Sequence, residues 1–123
     1  MSACPCGLPA TYDACCGRLH AGVPAATAEL LMRSRYAAFV VGDAAHLLAT
    51  WHPTTRPRRL PLPEGRRWTG LRVLGRTGGG LLEPTGTVRF RAEYVDSGHE
   101  GGAQEEDSLF ERQAGLWRYV RAL

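Results

Sequence analysis

Four cysteines lie close together near the start of the chain, and cysteine thiolates are ligands for soft metal ions. They are Cys4, Cys6, Cys15 and Cys16, in the pattern Cys-x-Cys, eight further residues, then Cys-Cys. Two close pairs joined by a short loop can occupy the four corners of a tetrahedron, the geometry that zinc prefers. We therefore predict a zinc site that is structural, because four thiolates leave no coordination position open to a substrate.

Other interpretations of the same cysteines remain open. Iron also suits a tetrahedral sulfur site. Disulfides between such close positions would be strained, and four unpaired thiols would be prone to oxidation. His20 could replace one cysteine as a ligand, although a solvent-facing histidine is the simpler expectation. Gly7 and Gly17 each follow a cysteine and are expected to allow tight turns around the metal.

Two helices are predicted directly after this segment. Ala28, Met32, Tyr36 and Val40 recur every four residues, with Leu31 and Phe39 on the same face. Thr27 is a suitable N-cap and Gly42 a suitable helix end. Asp43 can then cap a second helix, in which Ala44, Leu47, Leu48 and Trp51 share one face until Pro53. His46 and His52 flank the end of that helix, where histidines are usually exposed or capping.

The second half of the chain has the pattern of antiparallel strands. Residues 53–67 carry four prolines, which favours a loop. Leu71 and Val73 alternate with polar neighbours before a glycine turn, and Val88, Phe90, Ala92 and Tyr94 alternate in the same way. Gly98, Gly101 and Gly102 predict a connection, and residues 106–113 and 116–121 a hairpin. The predicted fold class is α+β, with a zinc-stapled N-terminal loop followed by two helices packed on a curved antiparallel sheet.

The composition is that of one small globular protein. The chain has 123 residues, 44% of them apolar and 22% charged. It shows no secretory leader and no apolar run of membrane-spanning length, so we expect a cytoplasmic protein whose thiols stay reduced. All fifteen basic residues are arginine, and the formal charge is +3. Four thiolates on one divalent cation would lower that charge by two units, which weakens it as an indication of nucleic-acid binding.

Two groups of residues carry a resemblance to known families. Cys4-Pro5-Cys6-Gly7, Tyr12 and Cys15-Cys16-Gly17-Arg18 resemble the SEC-C metal-binding motif, found at the tail of the SecA translocase motor. Leu31-Met32-Arg33-Ser34-Arg35-Tyr36 and Thr50-Trp51-His52-Pro53 resemble the bacterial YchJ family. The resemblance implies residues 1–22 as a metal-binding motif and 23–123 as a nuclear transport factor 2-like (NTF2-like) domain. It implies zinc bound by the four cysteines, and the SecB chaperone or the ribosome as partners. The motif usually continues Cys-Gly-Ser-Gly, whereas this chain has Leu8-Pro9 after Gly7, so partner recognition is the property affected.

The NTF2-like shape implies a cone-shaped cavity, and such cavities can hold an acid or base for an isomerase or hydro-lyase. Tyr36, Trp51, His52 and Asp107 are the residues that could line it. No Ser/His/Asp or Cys/His arrangement accompanies them, so the sequence favours a protein that is not an enzyme.

A further alternative is RNA binding through the proline-rich loop. Five arginines (Arg56, Arg58, Arg59, Arg66 and Arg67) could bind phosphates, and Trp68 could stack on a base. A solvated loop is the simpler interpretation. The sequence thus favours a non-enzymatic zinc-binding adaptor that contacts protein partners through its N-terminal segment, as a monomer or a homodimer.

Overall fold

The computed structural model describes residues 3–123, which form three helices and one four-stranded sheet. The helices are α1 (Cys16–His20), α2 (Ala28–Val41) and α3 (Ala44–Ala49). The strands are β1 (Arg67–Gly78), β2 (Thr85–Val95), β3 (Gly101–Gln113) and β4 (Leu116–Ala122). They pair in the order β1-β2-β3-β4, and every pair is antiparallel. Among the described residues, no helix has both the length and the apolar character needed to cross a membrane.

The ends of α2 follow the capping signals in the sequence. The Thr27 hydroxyl accepts a hydrogen bond from the backbone N–H of Leu30, which satisfies one free donor at the helix start. Gly42 ends the helix in the left-handed conformation, as glycine does at no steric cost. The Asp43 side chain then accepts from the N–H of His46 and begins α3.

The core lies between α2 and one face of the sheet. Leu31 and Met32 from α2 pack against alternating side chains of the central strands. The fully buried members of this cluster are Ala28, Leu31, Met32, Val88, Phe110 and Trp117. Val40 was predicted on the same helix face, but it is exposed. The predicted α+β architecture is confirmed.

Three predicted boundaries differ from the structure. Helix α3 ends at Ala49 rather than Trp51, because the backbone of residues 50–52 forms hydrogen bonds with β4 instead. The Tyr119 N–H donates to the Thr50 carbonyl, and the His52 N–H donates to the Tyr119 carbonyl. Arg67 begins β1 instead of ending the loop. Gly101 and Gly102 belong to β3, where a Cβ on Gly102 would lie 2.7 Å from the Tyr94 ring.

The two outer strands have different edges. The edge of β4 is partly covered, because Trp51 forms a parallel bridge with Tyr119. Strand β1 pairs only with β2, and its register shifts twice, between Trp68 and Gly70 and between Val73 and Gly75.

Candidate metal centre and domain cavity

The four cysteine sulfurs converge on one point in the fold. Their Sγ atoms all lie within 4.8 Å of one another, and Cys6 Sγ is 3.7 Å from Cys15 Sγ. A tetrahedral zinc–thiolate site with Zn–S bonds of ~2.3 Å has sulfur–sulfur edges of about 3.8 Å. Cys4, Cys6 and Cys16 are buried and Cys15 is half-buried. The donor set and its spacing therefore fit one tetrahedral metal ion.

A short loop and a short helix position these sulfurs. Cys4 N–H donates to the Ala10 carbonyl at 2.8 Å, which closes the loop that carries Cys4 and Cys6. Gly7 turns that loop with a φ of +92°, a conformation that favours glycine. Cys15 stands at the N-cap of α1 and makes no side-chain capping bond, and its sulfur lies at the cluster instead.

Gly17 has a different role from the predicted turn. It lies within α1, where a Cβ would be 2.7 Å from the Tyr12 carbonyl oxygen and 3.1 Å from the Tyr12 ring. Its N–H donates to that same carbonyl at 2.8 Å. Glycine is required here because the helix and the loop approach closely.

The electrostatics of the cluster favour a cation. Hydrogen bonding from Cys16 lowers the pKa of Cys6 to about 5 despite its burial. The same bond, together with burial, raises the pKa of Cys16, and burial raises the pKa of Cys15 to about 11. The Cys6 thiol can thus ionise readily, but ionisation of a second thiol is opposed by repulsion between the two thiolates. A divalent cation removes that repulsion, so metal binding and loss of the remaining protons occur together.

Helix α2 anchors the cysteine segment, defined here as residues 3–22. Arg33 Nη1 donates to the Cys6 carbonyl at 2.7 Å, and its Nε pairs with Glu29 at 3.0 Å. Ala37 packs directly against the buried cysteines. The segment therefore rests on the side of α2 that does not face the sheet.

The histidines near this contact are buried, contrary to the expectation of exposed side chains. His20 bonds the Tyr12 hydroxyl through Nδ1 at 2.6 Å and donates from Nε2 to the Ser34 carbonyl at 2.8 Å. Both ring nitrogens are thus engaged away from the metal cluster. His46 Nε2 lies 2.9 Å from the Ser34 hydroxyl, and burial lowers the pKa of His46 to about 4.

A second candidate site is a cavity of about 310 Å³ between α2, the sheet and the proline-rich loop. Tyr36 and Trp51 line it, as the sequence analysis suggested. His52 and Asp107 are not among its lining residues. His52 Nδ1 instead accepts from the N–H of Thr54 at 3.2 Å, and Asp107 lies opposite Arg89 in the register of β2 and β3.

Glu106 is the carboxylate that lines this cavity, and it was not among the residues predicted for it. Alternate residues of a strand point to opposite faces, so Glu106, Ser108 and Phe110 share the inner face and Asp107 lies on the other. The sequence contained a signal for this position. Phe110 is an apolar residue of the predicted hairpin strand, and residues two and four positions before it, Ser108 and Glu106, are expected on the same face of that strand. Its Oε2 accepts from the Ser108 hydroxyl and, at 3.2 Å, from the Tyr119 hydroxyl. Burial and this carboxylate raise the pKa of Tyr119 to about 12.

The five arginines proposed for RNA contact do not act alike. Arg56 donates to the Trp51 carbonyl, with the shorter bond at 2.8 Å. Arg66 pairs with Asp96 at 2.9 Å and lies over the Tyr94 ring. The other three are exposed: Arg58, Arg59 and Arg67. Two of the five thus contribute to holding the loop against the domain.

Fold and site together define a class of protein: a four-cysteine, SEC-C-like segment attached to a helix-covered antiparallel sheet. Residues 27–122 match the family model described as the YchJ middle NTF2-like domain. The chain belongs to the YchJ family.

Relatives support both halves of this description. The chain is 56% identical over 118 residues to a UPF0225 protein of Streptomyces coelicolor, covering 95% of this chain and 91% of the relative. It is 50% identical over 121 residues to a UPF0225 protein of Xanthomonas oryzae, covering 97% and 92%. The solution structure of a SEC-C motif containing protein from Rhodopseudomonas palustris matches with a TM-score of 0.84 and 34% identity, over 98% of this chain and 96% of that one. A crystal structure of a SEC-C motif containing protein from Psychrobacter arcticus matches with a TM-score of 0.78 and 27% identity, over 96% and 80%.

Proposed function

We propose that this protein is a non-enzymatic zinc-binding adaptor of the cytoplasm, whose cysteine segment contacts a protein partner. The observation that carries the proposal is the convergence of four thiol sulfurs within 4.8 Å. Four sulfur ligands complete a tetrahedron, so the ion gives the segment its shape and has no open position for a substrate. A cytoplasmic location suits this chemistry, because thiols remain reduced there.

Zinc is the ion we assign, and iron is the alternative that measurement must separate from it. Both metals accept tetrahedral sulfur ligation at similar bond lengths. Protein purified without chelator or added metal should contain about one equivalent of zinc and show no iron–thiolate absorption in the visible range. Cys6→Ser should lose the metal. His20→Gln is the matched control and should keep it, because both His20 nitrogens are bonded elsewhere. Absence of both metals from the unmodified protein would disprove the site.

The adaptor role rests on the outward face of the cysteine segment. Pro9, Asp13, Ala14 and Arg18 are exposed there, although the sulfurs beneath them are almost enclosed. The likeness to SEC-C proteins directs the test to the SecB chaperone and the ribosome. A rigid surface held by a metal pays little ordering entropy when a partner binds, which suits a docking role.

The adaptor role is tested with purified SecB and purified ribosomes in separate binding assays. The double variant Asp13→Arg, Arg18→Glu reverses two exposed charges and leaves the net charge and the four cysteines unchanged. We expect the unmodified protein to bind one partner and this variant to lose most of that binding while it retains zinc. A control pair on the opposite part of the chain is Arg58→Glu with Glu64→Arg, both exposed loop positions. Equal binding by both variants, or no binding of either partner by the unmodified protein, would contradict the adaptor role.

A further inference from the structure

Arg35 is a buried cation that forms no direct ion pair with any described residue. Its side chain extends from α2 into the domain cavity, and only 7% of the residue is exposed. Nη1 donates to the Leu47 carbonyl and to the Thr50 hydroxyl, both at 2.8 Å, and both acceptors are neutral. Within residues 3–123 this guanidinium takes part in no ion pair. Burial lowers the pKa of Arg35 to about 10, so it still carries its charge at neutral pH.

A buried donor without a hydrogen-bond partner lies beside Arg35. The indole Nε1–H of Trp51 is buried and has no hydrogen-bond partner among the described residues. Trp51 also lines the cavity, and the centre of its ring is 5.1 Å from the Arg35 Cζ atom. Buried donors are nearly always paired, because an unpaired one loses its bonds to water and gains nothing in return. A buried guanidinium without an ion-pair partner and a buried indole N–H without an acceptor, side by side in one cavity, indicate a missing anionic acceptor.

The walls of the cavity indicate what accompanies that acceptor. Aromatic and apolar side chains surround the two donors: Met32, Phe39, Leu60, Trp68, Phe90 and Phe110. The volume of about 310 Å³ is that of a site for a small organic molecule. Apolar walls of this extent would gain nothing from a bare inorganic ion, but they stabilise an apolar group attached to the charge.

We propose that the cavity binds a small organic carboxylate. The carboxylate accepts hydrogen bonds from the Arg35 guanidinium and the Trp51 Nε1–H, and the apolar body of the ligand lies among the aromatic walls. Guanidinium and carboxylate match in geometry as well as in charge, and both are desolvated here. This site is separate from the cysteine segment and goes beyond the adaptor function.

Glu106 sets a further condition on the ligand. It lines the same cavity, and Tyr119 stands between the two charges: the Arg35 Cζ is 4.5 Å from the Tyr119 ring centre, and the Tyr119 hydroxyl donates to Glu106. A second negative group on the ligand would be repelled by this carboxylate, whereas a positive one would be attracted. The cavity therefore favours ligands with one carboxylate and no second anionic group.

The first experiment uses the unmodified protein and pairs of matched small molecules. Titration calorimetry and ligand-observed NMR are run with phenylacetate, indole-3-acetate, 4-methylpentanoate and L-phenylalanine. Phenylacetamide is the neutral control, and inorganic phosphate the control for a bare anion. We expect saturable binding of at least one carboxylate and at least about tenfold weaker binding of the neutral amide and of phosphate. Absence of binding across the carboxylates, or equal binding of the amide, overturns the proposal.

The second experiment locates the binding site with variants. Arg35→Met should weaken carboxylate binding by about tenfold or more, and Arg58→Met, which removes an exposed arginine, should change it by less than about twofold. Because Arg35 also supports α3, Trp51→Phe provides a milder test. It removes the free N–H and should weaken the carboxylate several-fold while leaving weak amide binding unchanged. If Arg58→Met has the same effect as Arg35→Met, or Trp51→Phe has none, the carboxylate does not bind at these two donors.

Glu106→Gln separates the two kinds of carboxylate. Removal of its charge should strengthen binding of phenylacetate more than binding of L-phenylalanine, because only the amino acid carries an ammonium group that loses an attractive partner. An equal or larger gain for L-phenylalanine would contradict the role assigned to Glu106.

Discussion

The cysteine segment and the helix-covered sheet are folded by different forces. In the segment the buried apolar residues are Cys4, Cys6 and Cys16, which pack with Ala37 of α2. In the sheet domain a cluster of larger side chains, Phe110 and Trp117 among them, is removed from water. Burial of large apolar side chains is the dominant favourable term in folding, and the segment has few of them. From this difference we expect one region to depend on a bound cation for its shape and the other to fold without one.

Helix α2 is the element that both regions share. Leu31 and Met32 face the sheet, while Arg33 and Ala37 contact the cysteine segment. Five consecutive residues, 34–38, are buried, so the helix is covered on nearly all sides. The two regions can therefore be perturbed separately, and their coupling can be measured at the contacts on α2.

Removal of the metal should have the largest effect, and it should be confined to the segment. Binding of a structural zinc contributes ~10 kcal/mol or more to the folding free energy of the residues that hold it. With a strong chelator, we expect the amides of residues 4–20 to lose hydrogen-exchange protection and those of β2 and β3 to keep it. Addition of zinc should restore the original pattern. Loss of protection throughout the sheet would show that the two regions do not fold independently.

Phe110→Ala should produce the converse result. Phe110 is 1% exposed, and truncation of a buried phenylalanine costs about 3 kcal/mol or more. Urea unfolding should show this loss of stability, while the zinc content stays unchanged. Leu82→Ala is the control, because Leu82 is 97% exposed and its truncation should cost less than about 0.5 kcal/mol. Loss of zinc by the Phe110 variant would mean that the segment requires the core.

Arg33→Met tests the contact between the regions. It removes the bond to the Cys6 carbonyl and the ion pair with Glu29, and we expect a loss of about 1–2 kcal/mol in the free energy of unfolding. Zinc should also dissociate faster, which a colorimetric chelator can follow. Arg58→Met provides the comparison, since that arginine is exposed. An unchanged rate of zinc release would show that this bond does not support the metal site.

Acid should lower the free energy of unfolding through His46, which lies beside Ser34 of α2. Its pKa in the folded state is about 4, below the ordinary value of 6.5, because the ring is buried and charging it is unfavourable. The neutral His46 ring therefore makes its full contribution to stability above pH 6.5, and this contribution is lost as the pH falls towards 4. By pH 5.5 the loss should reach about 1 kcal/mol, since the unfolded chain then binds a proton that the folded one excludes. His46→Gln should abolish this part of the pH dependence between pH 7.5 and 5.5. An identical pH dependence in the variant would assign it to other groups.

The sequence predicted what depends on local signals. The caps at Thr27, Gly42 and Asp43 and the alternation around Phe90 depend on neighbouring residues, and these features are present in the structure. In the same way, the spacing of the four cysteines indicated that their sulfurs would lie close together.

Features that depend on distant residues could not be predicted. The burial of His20 and His46 depends on contact between the cysteine segment and two helices, which no local pattern reports. The end of α3 depends on bonds to β4, nearly seventy residues later in the chain. In the sequence Arg35 was noted only as part of the YchJ-like motif, because its burial without an ion-pair partner among the described residues depends on the three-dimensional fold.

The irregular register of β1 has a consequence for how copies of this protein behave at high concentration. Two register shifts divide its unpaired outer edge into short lengths, and the exposed Arg67 and Arg72 add like charges along it. A second copy of the chain pairing with this edge would find only a few consecutive backbone amides in line, and its own arginines would repel these two. We therefore expect this long outer strand to resist sheet extension from one copy to the next.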